Sequence, residues 1–142
     1  MRFWDSSALV PLVLEEARSP ICRAAARGDR DVVVWMFTEI LAAIHRAWLA
    51  KRLDDAQVVT AERRLGRLAR AWKIVVDAPA VKDEARDVIR RHRMRTADAL
   101  QLAAARLWAN GRPKGRGFVT ADHDLARAAE IEGFDVRDLS PS

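Results

Sequence analysis

A chain of 142 residues, half of them hydrophobic and 32% charged with no low-complexity tract, excludes both disorder and a two-domain arrangement. Its one cysteine, Cys22, excludes an internal disulfide and a thiolate zinc site, and is expected to be a small buried apolar residue. The net charge of +5 suggests a polyanionic partner, because clustered Lys and Arg gain affinity by releasing counterions from phosphates; charge alone is weak support for this.

In chain order, short apolar or β-branched runs alternate with longer stretches of helical period, the pattern of a parallel sheet flanked by helices. Strands are expected at 2–4, 32–35, 74–76, 117–120 and, briefly, 135–136. Helices are expected at 7–15, 19–27, 38–52, 54–72, 79–91, 97–109 and 123–132. Thr38 and Thr96 read as N-caps, as does Ser6 or Ser7, while Gly28-Asp29, Asn110-Gly111 and Gly133 mark helix ends that often need a left-handed residue. The loop from Gly111 to Gly117 lacks the Gly-Lys-Ser/Thr ending of a phosphate-binding P-loop. The N-terminal apolar stretch is broken by Asp5 and Pro11 and soon reaches Glu15-Glu16, unlike a signal peptide, and no run approaches the roughly 20 apolar residues of a membrane span. A cytoplasmic protein is expected.

Four carboxylates, Asp5, Glu39, Asp98 and Asp122, stand in separate segments, each where the chain enters a helix. Taken singly, each is as well explained by the preference for acids in a helix's first turn. Jointly they point further. In an open α/β sheet, ligands bind beyond the carboxyl ends of the strands, at the junctions where these acids fall. Gathered carboxylates repel one another and need a cation, and an all-oxygen set favours Mg²⁺ or Mn²⁺. The fourth position is open between Asp122 and Asp124; the spacing from Thr120 favours Asp122.

The strings carrying these acids are Asp5-Ser6-Ser7-Ala8-Leu9, Thr38-Glu39, Arg95-Thr96-Ala97-Asp98-Ala99-Leu100-Gln101 and Phe118-Val119-Thr120-Ala121-Asp122. In this order the chain resembles the PIN-domain family along essentially its whole length, most closely the small VapC-like toxins of toxin–antitoxin pairs. The resemblance implies a three-layer α/β/α domain with a mainly parallel sheet of about five strands. It also implies a Mg²⁺- or Mn²⁺-dependent endoribonuclease that cuts single-stranded or loop RNA to leave a 3′-hydroxyl and a 5′-phosphate. Carried over by position, it makes Asp5, Glu39, Asp98 and Asp122 the acidic metal site, Asp5 and Asp98 foremost as direct ligands. Ser6 and Thr120 would orient carboxylates, water or substrate, and Asp122 or Glu39 would position or deprotonate the water. A cognate VapB-like antitoxin and a homodimer are implied as partners.

The run Arg90-Arg91-His92-Arg93-Met94-Arg95 reads either as a solvated helix end or as a phosphate clamp, with Arg93 and Arg95 holding substrate, because it leads directly to Asp98. His45, His92 and His123 have no zinc-ligand spacing and read as surface or packing residues, and the Lys114–Arg116 loop as a plain connection. The five tryptophans are expected mostly in the core, with Trp48 and Trp72 as candidates for a partner surface. Arg63, Arg64, Arg67 and Arg70 read as the solvated face of their helix. Two other function classes fit the chain less well. A phosphoacceptor or dehalogenase-type phosphatase needs paired acids near the first strand, and Ser7 stands where the second would be. A non-catalytic RNA-binding or scaffold domain of the same fold has no need to hold four acids together.

Overall fold

The computed structural model describes residues 1–35 and 37–142. Among these, five strands, β1 (Arg2–Trp4), β2 (Val32–Trp35), β3 (Trp72–Val75), β4 (Gly117–Thr120) and β5 (Asp135–Asp138), form one sheet in the order β3-β2-β1-β4-β5. Every pairing is parallel. Seven helices connect and cover the strands: α1 (Ser6–Val13), α2 (Ser19–Arg27), α3 (Thr38–Leu49), α4 (Asp55–Ala69), α5 (Ala78–His92), α6 (Thr96–Trp108) and α7 (His123–Glu132).

The two-residue period of the strands divides the core. Trp4, Val32, Val34 and Val119 pack on one side with residues of α1, α2, α3 and α4, including Cys22, Ile40, Ile44 and Leu65. Phe3, Val33, Trp35 and Phe118 point the other way, into α5, α6 and α7, with Val81, Leu102 and Leu125. The Phe3 and Phe118 rings stack at 5.4 Å across the central strand pair. Burial on both faces explains why these strands read as continuous apolar runs. The result is the three-layer α/β/α arrangement expected above. No helix among the described residues is long and apolar enough to cross a membrane.

The boundaries that moved have physical causes. The helix expected at 7–15 ends at Val13, with Leu14 already extended, so Glu15 and Glu16 escape the negative end of the helix dipole. The helix expected through residue 72 ends at Ala69, because Trp72 and Lys73 are drawn into β3 by pairing with Val32 and Val33. β5 runs on through Arg137 and Asp138, whose polarity suits an edge strand. Neither Thr38 nor Thr96 is an N-cap. Phe37 and Arg95 occupy those positions without side-chain caps, and the threonines are the first helical residues. Gly133 ends α7 in the left-handed region (φ +105°), whereas Gly28 does not (φ −83°).

Trp4 and Trp35 are buried and Trp48 is 40% exposed. Trp48 and Leu49 border a groove of about 820 Å³ at the α3–α4 connection. The chain runs from β1 outward to β3, then returns to lay β4 on the other side of β1. The crevice of this sheet therefore lies at the carboxyl ends of β1 and β4.

Candidate carboxylate site

Asp5 immediately follows β1 and continues the sheet, its N–H donating to Val119 O at 3.0 Å. It is also the N-cap of α1: one carboxylate oxygen accepts from Ser7 N, and the other from the hydroxyls of Ser7 and Thr120. Thr120 ends β4, and its Oγ1 accepts from Asp122 N at 3.0 Å, while Asp122 caps α7 by accepting from Leu125 N at 3.1 Å. One hydroxyl thus ties the acid after β1 to the turn that carries the acid after β4.

The serine hydroxyl on Asp5 belongs to Ser7, not Ser6. An N-cap carboxylate faces the N–H groups inside the first turn, which favours the residue two positions on. Ser6 Oγ instead accepts from Gln101 Nε2 at 2.7 Å, and the same amide donates to Glu39 Oε1 at 2.9 Å. Gln101 lies three residues after Asp98 on α6, and so on the same face. This spacing was readable in the sequence, and Gln101 is the site residue that sequence reasoning missed.

Asp5, Glu39 and Asp98 line one cleft of about 200 Å³, together with Ser6, Gln101 and Arg46. Asp98 also lines a second cleft of about 580 Å³ with Asp122, Asp124, Arg93, Arg95 and Arg127. Asp98 is therefore where the two clefts meet. The fold brings all four expected acids to this junction, and Asp124 to its outer side.

Electrostatics mark the same place. Burial pushes the Asp5 carboxyl up to about 6, against hydrogen bonds from Ser7 and Thr120 that lower it and with a further push from the Asp122 charge. Asp98, half-buried, is raised by burial and then by Asp122 and Glu39, with Arg95 opposing. The Asp98 carboxyl thus feels Asp122 more strongly than Asp124. Both groups have a reason to seek positive charge.

The donor chemistry suits a hard divalent cation: every candidate side chain offers oxygen, and Gln101 Oε1 is a buried acceptor with no partner among the described residues. The spacing is looser. Among the described residues no three Asp, Glu, His or Cys side chains stand close enough together to hold an ion as placed.

The basic run divides in two. Arg91 and His92 turn toward Glu132 on α7, bonding its carboxylate at 2.8 Å each, and Arg90 approaches Asp87 at 4.0 Å. Arg93 and Arg95 line the larger cleft. His45 pairs with Glu62, and His123 with Asp138 at 3.0 Å, both exposed. Arg116 in the 111–117 loop lies over the Trp108 ring at 5.1 Å. Compared with family models and with curated protein sequences, the chain matches none.

Proposed function

We propose that this chain is a metal-dependent endoribonuclease of PIN-domain type, a VapC-like toxin acting on single-stranded or loop RNA. The observation that carries the reading is the meeting at Asp98 of two clefts, which gathers Asp5, Glu39, Asp98 and Asp122 from four separate segments of a net-basic chain. Asp5 and Asp98 would hold Mg²⁺ or Mn²⁺, with Glu39 and Asp122 alongside. Such an ion, when bound, supplies Lewis-acid stabilisation of the charge that develops on the phosphoryl oxygens.

The chain's own residues do the rest. Asp122 engages one oxygen in capping α7 and offers the other to take the proton of an attacking water. Gln101 orients Glu39, and Thr120 and Ser7 fix Asp5. Arg93 and Arg95 hold flanking phosphates. The water oxygen attacks phosphorus, the bond to the 3′ oxygen breaks, and that oxygen takes up a proton, leaving a 3′-hydroxyl and a 5′-phosphate. The groove beside Trp48 and Leu49 is the proposed ground for a VapB-like antitoxin or a second copy.

One observation favours a second reading, a non-catalytic RNA-binding domain: the Asp5 carboxylate already accepts three hydrogen bonds, a complete helix-capping role. Incubating a mixed RNA pool with the protein in Mn²⁺ or in chelator, then sequencing new 5′ ends, separates the two. Cation-dependent 5′-phosphate ends that vanish with Asp98→Asn support the nuclease. RNA retention without new ends supports the binding domain.

A further inference from the structure

The larger cleft is walled by two segments. On one side Arg93, Met94 and Arg95 connect α5 to α6; on the other, α7 presents Asp124, Arg127, Ala128 and Ile131, residues three or four apart on one helical face. On the neighbouring surface, Arg91 and Arg106 are spent on Glu132 and Glu84. Arg93, Arg95 and Arg127 have no carboxylate within ion-pair distance among the described residues. Asp98, Asp122 and Asp124 line the same cleft, so its formal charge is balanced, but three guanidiniums free of ion pairs can still each donate to a phosphate oxygen there.

Two further observations define that anion. The cleft has apolar surface beside its charge: Met94 is half-buried, Leu125 and Ala128 are buried, and Ile131 stands 73% exposed at the rim. Arg93 adopts the left-handed region (φ 50°) as it caps α5, its N–H donating to Ile89 O at 2.8 Å, where glycine would be unstrained. The adjoining His92 is anchored to Glu132 with both side chains under 10% exposed. The backbone of the turn is thus anchored where it leaves α5, while the Arg93 and Arg95 side chains are exposed. On the other side of Asp98, the 200 Å³ cleft offers a single cation, Arg46.

We infer that the cleft between the Arg93–Arg95 turn and α7 seats the RNA on one side of the scissile phosphate, with Arg127 as a third phosphate-binding cation and Met94 and Ile131 carrying a base. A free inorganic anion would use the cations and ignore the apolar rim; a single strand of RNA uses both. The inference rests on the ribonuclease reading, and it makes the grip on substrate one-sided. After cleavage, the fragment in this cleft is the one retained.

The test is binding of a labelled single-stranded oligoribonucleotide in chelator across a salt series, with an abasic copy, for the parent, Arg127→Ala, Ile131→Ala and the outer-face control Arg63→Ala, beside Mn²⁺-dependent cleavage of the same strand. Arg127→Ala should reduce the salt slope by about 0.7, the value of one single-strand phosphate contact. Ile131→Ala should bring the ratio of intact to abasic affinity toward one, and Arg63→Ala should change neither. If slope and ratio match the parent in both variants while the parent cuts RNA, the subsite is wrong and the nuclease stands. If the slope falls as expected but the parent cuts nothing, the subsite stands and the nuclease reading fails. A parent that binds no RNA overturns both.

Discussion

Gln101 reaches from α6 to Glu39 on α3, its Nε2 2.9 Å from the Glu39 Oε1, one helical turn after Asp98. The same nitrogen contacts Ser6 Oγ at 2.7 Å, so one buried amide links three elements around the smaller cleft. Gln101→Ala frees the Glu39 carboxylate to drift. Cleavage in Mn²⁺ should fall about 10- to 100-fold, the usual cost of losing a group that orients a ligand, while the circular-dichroism spectrum is kept. Parent-level activity in the folded variant would remove Glu39 from the site.

The four acids differ in what surrounds them, and the order of their variants should follow. Asp5→Asn and Asp98→Asn should abolish RNA cleavage, and Glu39→Gln and Asp122→Asn should impair it severely. Asp124→Asn should retain activity, because Asp124 is exposed on the outer side of the larger cleft and weighs least on Asp98. Activity lost with Asp124→Asn and kept with Asp122→Asn would exchange their roles.

Asp98 can be tested without any RNA. Its carboxyl is raised by burial and by Asp122 and Glu39, so its charge opposes the ion-free fold and Asp98→Asn should melt at or slightly above the parent in chelator. A cation that binds only the native state should stabilise the parent by about 2.7 kcal/mol at 100 times Kd, and the variant should lose most of that gain. Thermal melts at fixed ionic strength read both effects. A variant that melts far below the parent in chelator would make Asp98 a structural helix-start group.

Glu132 sets an acid limit on stability. Burial pushes its carboxyl up, but hydrogen bonds from Arg91 and His92 and the charge of Arg106 outweigh that and hold it below its ordinary 4.5. Because the folded value is depressed, the stability it contributes is complete above 4.5 and is lost as pH falls through the folded value. Glu132→Gln should cost about 2–3 kcal/mol at neutral pH, since it removes the charged acceptor that the part-buried Arg106 and the exposed Arg91 both bond. The difference from the parent should shrink in urea melts taken below pH 4. A constant difference down to pH 3 would show that Glu132 acts through packing alone.

The parts legible in the sequence were those decided locally or by burial on both faces. β1, β2 and β4 keep their expected bounds because Phe3-Trp4, Val32 to Trp35 and Phe118-Val119 are buried to either side. The charged continuation of β5 and the capture of Trp72 by β3 were not legible, since each depends on a strand partner far away in the chain. At the site, four acids at helix starts could be named from position. The bridging role of Gln101, the choice of Ser7 over Ser6 and the unpaired state of Arg127 could not. Each is settled by which face of a helix meets its neighbour, a tertiary fact that single-residue preferences do not encode.

Thr120 and Asp5 touch although 115 residues separate them, because β1, the first strand made, is the middle of the sheet and its second neighbour, β4, is completed only in the last third of the chain. During synthesis Asp5 and Glu39 are made well before Thr120 and Asp122. The Asp5 carboxylate therefore gains its Thr120 partner only when β4 pairs with β1, the last neighbour that central strand acquires in chain order.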